Sequence, residues 1–275
     1  MGKISDALEK HQRETKLKTD PTPVAPRIRE RRGEVPIPSG QVVSAAKYDP
    51  KLVVLSAPES MDAENFKILR SQILFPKKGE RPRVIMVTSA LPGEGKTFIA
   101  TNLAASIALG FNEHVLLVDC DFRRPCVHKM LGVPLAIGLY EHLTGKVPLP
   151  DVIIKTGYGK LSVIPAGSPS HNPSELIASQ MMRDFLEDVR NRYDDRYIVI
   201  DATPAQVTAE ANVLSQYVDG IIFVIMAERA PRDAIQRSID NLGKDKILGL
   251  VFNGYKQSYR QYRRYYKKYY KEYGG

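Results

Sequence analysis

Three short segments carry groups suited to holding a polyphosphate and moving a phosphoryl group. The first, ALPGEGKT over Ala90 to Thr97, matches the relaxed Walker A pattern [AG]xxxxGK[ST]. Glycines at 93 and 95 let successive backbone N–H groups wrap phosphate oxygens, Lys96 reaches the β and γ phosphates, and the Thr97 hydroxyl can ligate Mg2+. Pro92, Gly93, Glu94, Gly95, Lys96, Thr97 and Phe98 therefore form a candidate nucleotide site for ATP with Mg2+. The second segment, DCDFRRP, places carboxylates at Asp119 and Asp121 and cations at Arg123 and Arg124. One aspartate can orient Mg2+ or its waters while the other accepts a proton from an attacking hydroxyl. Asp121 also fits a plain helix cap. The third, YIVIDATP, is an apolar run closed by Asp201, the form of a Walker B segment that binds Mg2+ through water. The candidate catalytic set is Lys96, Asp119, Asp121 and Asp201, and the candidate metal ligands are Thr97 and the same three aspartates. Asn253, closing ILGLVFN, fits either a hydrogen bond to an adenine edge or a turn before Gly254.

Each of these motifs follows a short apolar run. Runs over Val84 to Thr88, Val115 to Val118, Leu161 to Ile164, Tyr197 to Ile200, Ile221 to Met226 and Leu248 to Phe252 predict six strands, with helical patterns between them. That alternation specifies an α/β fold, a doubly wound and mostly parallel sheet with helices on both faces. Ligands of such sheets bind beyond the C-terminal strand ends, where all three motifs fall. The domain spans residues 50–254. Residues 1–17 place Ile4, Ala7, Leu8 and Leu17 on one face of a short amphipathic helix, and residues 18–49 have the proline and arginine content of a linker. Residues 255–275 form a basic, tyrosine-rich tail.

The net charge of +9 resolves by region. Residues 1–32 hold nine Lys/Arg against five Asp/Glu and residues 251–275 seven against one, so +4 and +6 belong to the termini and about −1 to the body. A near-neutral body argues against a nucleic-acid-binding core and for no nucleic-acid partner. No run reaches the length of a spanning helix, and the start MGKISDALEKHQRE lacks the apolar stretch of a signal peptide. Only two cysteines occur, Cys120 and Cys126, with no second pair to complete a zinc site. The expectation is a cytoplasmic protein.

Walker A, an aspartate-bearing second motif and Walker B, in that order, resemble the bacterial tyrosine kinases of exopolysaccharide and capsule synthesis. The likeness covers about residues 58–254. DCDFRRP is similar to the Walker A′ motif of that family, and GLYEHLTGK at 138–146, PAGSPSHNPSELIAS at 165–179 and ILGLVFN at 247–253 are similar to further family segments. Glu64, Lys67 and Arg70 form ExxKxxR, similar to the ExxRxxR motif through which family members bridge subunits, and their spacing puts them on one helix face. Lysine at 67 lacks the planar fork of arginine, and an ordinary surface charge stripe also fits. Ala90 stands where many P-loops have glycine, and DATP has one proline where family members often have two; neither change removes a ligand. The resemblance implies a homo-oligomeric ring, protein tyrosine substrates, and a separate transmembrane polysaccharide co-polymerase as activator, recruiting the protein to the inner face of the membrane.

Eight of the fourteen tyrosines lie at 255, 259, 262, 265, 266, 269, 270 and 273, interleaved with Lys and Arg. In the resembled family such a cluster is the autophosphorylation substrate, passed between neighbouring subunits; Tyr255, Tyr259, Tyr262, Tyr265, Tyr266, Tyr269, Tyr270 and Tyr273 are the candidate acceptors. Each phosphate would add nearly two negative charges to a positive segment. A helical stripe docking on a surface, or base stacking, also accommodates the pattern. ParA/MinD-type ATPase switches share the fold and motif order and are the rival class. Their P-loop usually reads KGGxGKT, whereas Leu91 stands at the signature lysine here, and the tail is tyrosine-rich rather than aliphatic.

Overall fold

The computed structural model describes residues 48–77, 79–135, 137–192 and 195–254; the N-terminal helix, most of the linker and the tyrosine tail lie outside them. Seven strands form one sheet: β1 Val84–Ser89, β2 His114–Asp119, β3 Ile154–Lys155, β4 Leu161–Ile164, β5 Arg196–Asp201, β6 Gly220–Met226 and β7 Ile247–Asn253. Their order is β3-β4-β2-β5-β1-β6-β7, and every neighbouring pair is parallel except β3 with β4. Six strands match the apolar runs to within one residue at each end, and the seventh, β3, adds an antiparallel edge the periodicity does not show.

The helices relevant to the site are α1 Met61–Leu74, α2 Lys96–Ala108, α3 Val127–Leu131, α4 Leu139–Leu143, α5 Pro173–Ala178, α6 Gln180–Arg192, α7 Glu210–Leu214 and α8 Arg232–Leu242. Alternate residues of the central strands feed two cores. Val84, Met86, Leu116, Val118, Ile198 and Ile200 pack with residues of α4 to α8, while Ile85, Val87, Val115, Leu117, Tyr197 and Val199 pack with α1 to α3. Burial on both faces explains why these strands read as continuous apolar runs rather than alternating ones. Helix α2 is buried almost all round, and its Ala100, Ala104, Ala105 and Ala108 let it lie close against the sheet. Among the described residues no helix is long and apolar enough to cross a membrane.

Strand β1 lies between β5 and β6, with β2 beyond β5, so the ends of β1, β5 and β2 emerge side by side. Asp119 and Asp201 are direct partners in the β2–β5 register. The fold thus delivers the three motifs to one edge.

Candidate active site

After β1 the chain turns through Gly93 (φ 77°) and Gly95 (φ 94°), both in the left-handed region open to glycine. A Cβ at Gly95 would run into the Asn253 amide, and one at Gly93 into the Arg229 guanidinium. The loop is therefore wrapped from outside by two side chains that arrive with β7 and the segment after β6. Asn253 Nδ2 donates to the Glu94 carbonyl at 2.9 Å, and Asn253 Oδ1 accepts from the Gly254 amide at 2.9 Å. The arrangement makes Asn253 a brace for the loop as well as the turn residue expected before Gly254. Arg229 Nε donates to the Pro92 carbonyl at 3.0 Å.

Glu94 is wholly buried and points into the protein. One carboxylate oxygen accepts from the Leu91 amide at 2.7 Å and the other from the Met226 amide at 3.1 Å, which ties the loop to the end of β6. Its side chain staples the loop to β6, which leaves its backbone amide to face the nucleotide. Phe98 likewise sends its ring inward, edge-on to Phe66, and Pro92 has no N–H to offer a phosphate. The phosphate donors left in the loop are the amides from Gly93 to Phe98 and the Lys96 ammonium. Lys96 is 7% exposed and makes no hydrogen bond or ion pair among the described residues. A buried ammonium with no hydrogen-bonded partner at a helix start is a place made for anionic oxygen.

Thr97 begins the first turn of α2, and its hydroxyl donates to Asp201 Oδ2 at 2.6 Å. Asp201 Oδ1 is buried with no partner. Burial raises the Asp201 carboxyl to about 7, against the pull of the Thr97 hydroxyl and the Lys96 charge. Asp119 is fully buried, and burial, then the neighbouring Asp201 charge, push its carboxyl well above the ordinary range. Its two oxygens accept from the Asp121 and Val127 amides at 3.1 and 3.2 Å, so it shapes the turn from β2 into α3. Asp121 is 8% exposed; its Oδ1 accepts from the Arg124 amide at 2.9 Å, the turn-capping contact its position suggests.

No three His, Cys, Asp or Glu side chains among the described residues converge tightly enough to hold a metal alone. Of the candidate ligands Thr97, Asp119, Asp121 and Asp201, only Thr97 and Asp201 have side chains that touch one another. The Thr97–Asp201 pair, with its one unpartnered oxygen, fits Mg2+, which takes few protein ligands and completes its shell with phosphate oxygens and water.

Supporting contacts hold the A′ segment in place. Arg123 donates through Nε and Nη2 to Glu210 Oε1 at 3.1 and 2.9 Å, and the Ser174 hydroxyl donates to the same oxygen at 3.1 Å. Glu210 is 1% exposed; burial alone would raise its carboxyl, yet the donors around it hold it below the usual glutamate range. Glu141 accepts from the Gly138 and Ser168 amides at 2.8 and 3.3 Å, so the 138–146 and 165–179 segments are packed against each other. Glu64, Lys67 and Arg70 all lie on α1. Lys67 pairs with Glu64 at 3.0 Å, and Arg70 Nη1 donates to the Ser106 carbonyl of α2 at 2.7 Å, so Arg70 is engaged within its own chain.

The AAA domain family matches residues 82–244. The tyrosine-protein kinase YwqD of Bacillus subtilis (strain 168) is 30% identical over 209 residues, 75% of this chain and 87% of that protein. The chain belongs to the bacterial tyrosine kinase family. Solved kinase-family structures align over the same core. The chimerical protein CapA2B2 has 29% identity and a TM-score of 0.69, covering 78% of this chain and 95% of that one. The kinase domain of Escherichia coli tyrosine kinase ETK has 29% identity and a TM-score of 0.68, covering 76% and 83%. In this kinase the Walker A, A′ and Walker B segments meet as their order implied, and ATP and Mg2+ are the ligands that its loop and Thr97–Asp201 pair fit. Sequence reasoning missed Arg229 and the inward role of Glu94. A charged residue in a loop signals solvent, and only the β6 amide opposite Glu94 reverses that.

Proposed function

We propose that the chain is an ATP-dependent protein-tyrosine autokinase of exopolysaccharide or capsule synthesis that phosphorylates its C-terminal tyrosines in trans. The observation that carries this reading is the Thr97–Asp201 contact beneath the P-loop with Asp121 one strand away. Its relatives named tyrosine-protein kinases support the tyrosine acceptor. Mg2+, when bound, withdraws charge from the β and γ phosphates and opens the γ-phosphorus to attack. Amides of Gly93 to Phe98 and Lys96 would hold the phosphates, while Thr97 and Asp201 would hold the metal or its waters. Asp121 takes the phenolic proton as the tyrosine oxygen–phosphorus bond forms and the bond to the ADP oxygen breaks. Asp119, whose two oxygens already serve backbone amides, positions Asp121.

Strand β7, the element that precedes the tail in sequence, ends beside the P-loop, since Asn253 donates to the Glu94 carbonyl. The separate membrane activator, the ring and the recruitment to the inner membrane face are parts of the same proposal, supported by a relative named as a succinoglycan biosynthesis transport protein in Rhizobium meliloti. Glu64 and Lys67 are the oligomer residues that remain at the surface, with Arg70 released from Ser106 on assembly.

The test is incubation of the full chain with Mg·ATP, with and without the activator's cytoplasmic segment, followed by mapping of phosphotyrosine by mass spectrometry. Label at residues 255–273, also transferred from wild type to a K96M protein in mixtures, is expected. ATP hydrolysis without tyrosine labelling in either condition would favour a nucleotide switch and sink the kinase reading.

A further inference from the structure

The groups that must meet in phosphoryl transfer sit on two different turns. The phosphates would be held by the loop after β1, whereas Asp121, the acceptor of the phenolic proton, sits just past the end of β2. Strand pairing fixes Asp119 against Asp201 and stops there. Beyond it Asp121 is set only locally: its amide donates to Asp119 Oδ1 at 3.1 Å, and its own Oδ1 accepts from the Arg124 amide at 2.9 Å. The direction of its carboxylate therefore depends on where the next residues of the turn are anchored. Phe122 is anchored in the apolar core, and Arg123 is anchored at Glu210.

The Arg123 anchor joins distant parts of the chain. Nε and Nη2 both donate to one oxygen of buried Glu210, across 87 residues, and Ser174 of α5 donates to the same oxygen. Glu210 opens α7, and the segment that leads to it from Asp201 is bonded to the end of β1 and the first residue of the P-loop. Thr88 Oγ1 donates to the Thr203 carbonyl at 2.7 Å, the Ala205 amide to the Ser89 carbonyl at 2.8 Å and the Gln206 amide to the Ala90 carbonyl at 3.3 Å. Glu210 thus stands in the frame of the phosphate loop, and its bond to Arg123 carries that frame to the A′ turn.

We propose that Glu210 and Arg123 are positioning residues for phosphoryl transfer, holding the Asp121 carboxylate where it meets the tyrosine hydroxyl at the P-loop. An ion pair with a half-exposed arginine contributes modestly to stability, whereas a reacting group displaced by about 1 Å can cost about a hundredfold in rate. The pairing therefore matters more to the reaction than to the fold. The proposal rests on Asp121 as proton acceptor, so its test separates the two ideas.

The initial rate of labelling of a K96M chain as acceptor is measured at saturating Mg·ATP with wild type, R123A, R123K, E210Q, D121N and the R123A/D121N double variant as enzymes. Calorimetry follows Mg·ADP affinity in parallel. R123A and E210Q are expected to lower the maximal rate by about 10- to 100-fold. Their KM for ATP and their Mg·ADP affinity are expected to stay within about twofold of wild type. R123K keeps a donor for Glu210 without the fork, and is expected to recover part of the rate. In the D121N background R123A is expected to cost less than about twofold more, because nothing is left to position. Wild-type rates in R123A and E210Q, a parallel loss of Mg·ADP affinity, or full additivity with D121N would each overturn the proposal. D121N with a wild-type rate would instead refute the proton acceptor beneath it.

Discussion

Replacing Asp201 by asparagine should make the metal-free protein more stable while ruining its site. Folding carries this carboxyl from 3.8 to about 7, because burial removes water from the charge. A rise of about three pH units at 1.36 kcal/mol each withdraws about 4 kcal/mol once the group is ionised. Asparagine keeps the shape and an acceptor for the Thr97 hydroxyl, but its amide takes the place of the unpartnered Oδ1 at a cost of about 1–3 kcal/mol. Loss of the Asp201 charge also relieves Asp119, in the same direction. The net expectation for D201N at pH 8 is a gain of about 1–3 kcal/mol, or about 2–10 °C in melting temperature for a domain of this size. The sign with pH follows from the raised pKa. The native state binds the proton more tightly than the unfolded chain, so wild-type stability falls as pH rises from 3.8 to about 7 and is flat above. Thermal melts in EDTA without nucleotide at several pH values between 4 and 8 should show the D201N advantage opening over that window. Mg·ADP titration should show the same variant losing at least about tenfold in affinity. A D201N protein that melts at or below wild type at pH 8, or an advantage that does not vary with pH, would refute the reasoning.

Three further substitutions probe the frame of the site. E94A leaves the Leu91 and Met226 amides unpaired in a dry interior and should cost about 2–4 kcal/mol in urea unfolding, with E94Q recovering part of it. R123A strips the cation from buried Glu210; because Arg123 is half exposed, the loss should be about 1–2 kcal/mol at pH 7. Since the Glu210 carboxyl is held below the usual glutamate range, that pairing stabilises at neutral pH and fades on acidification, so unfolding curves of R123A and wild type should converge as pH falls through that lowered range. G95A forces a side chain into the Asn253 amide at a left-handed position and should abolish ADP binding measured by calorimetry.

Six of the strands were legible because parallel strands buried on both faces leave unbroken apolar runs. Strand β3 was not, because two residues carry no period and their pairing exists only through β4. Helix α1 and the common face of Glu64, Lys67 and Arg70 followed from spacing, but the turn of Arg70 toward Ser106 did not, since a charge on a helix face says nothing of which neighbour accepts it.

By itself the sequence determined the chemistry on offer: a phosphate loop, a strand-end aspartate and a second pair of carboxylates. Strand, loop and helix are contiguous there, and local backbone rules suffice to read them. Tertiary structure alone decided how the carboxylates divide. The Thr97–Asp201 bond spans 104 residues, Asp119 spends its oxygens on its own turn, and Glu94 and Arg229 acquire their places from strands more than a hundred residues from the loop or from β6 itself. Hydrogen-bond partners and burial set a carboxylate's charge and freedom, and both are properties of the packed neighbours rather than of the residue.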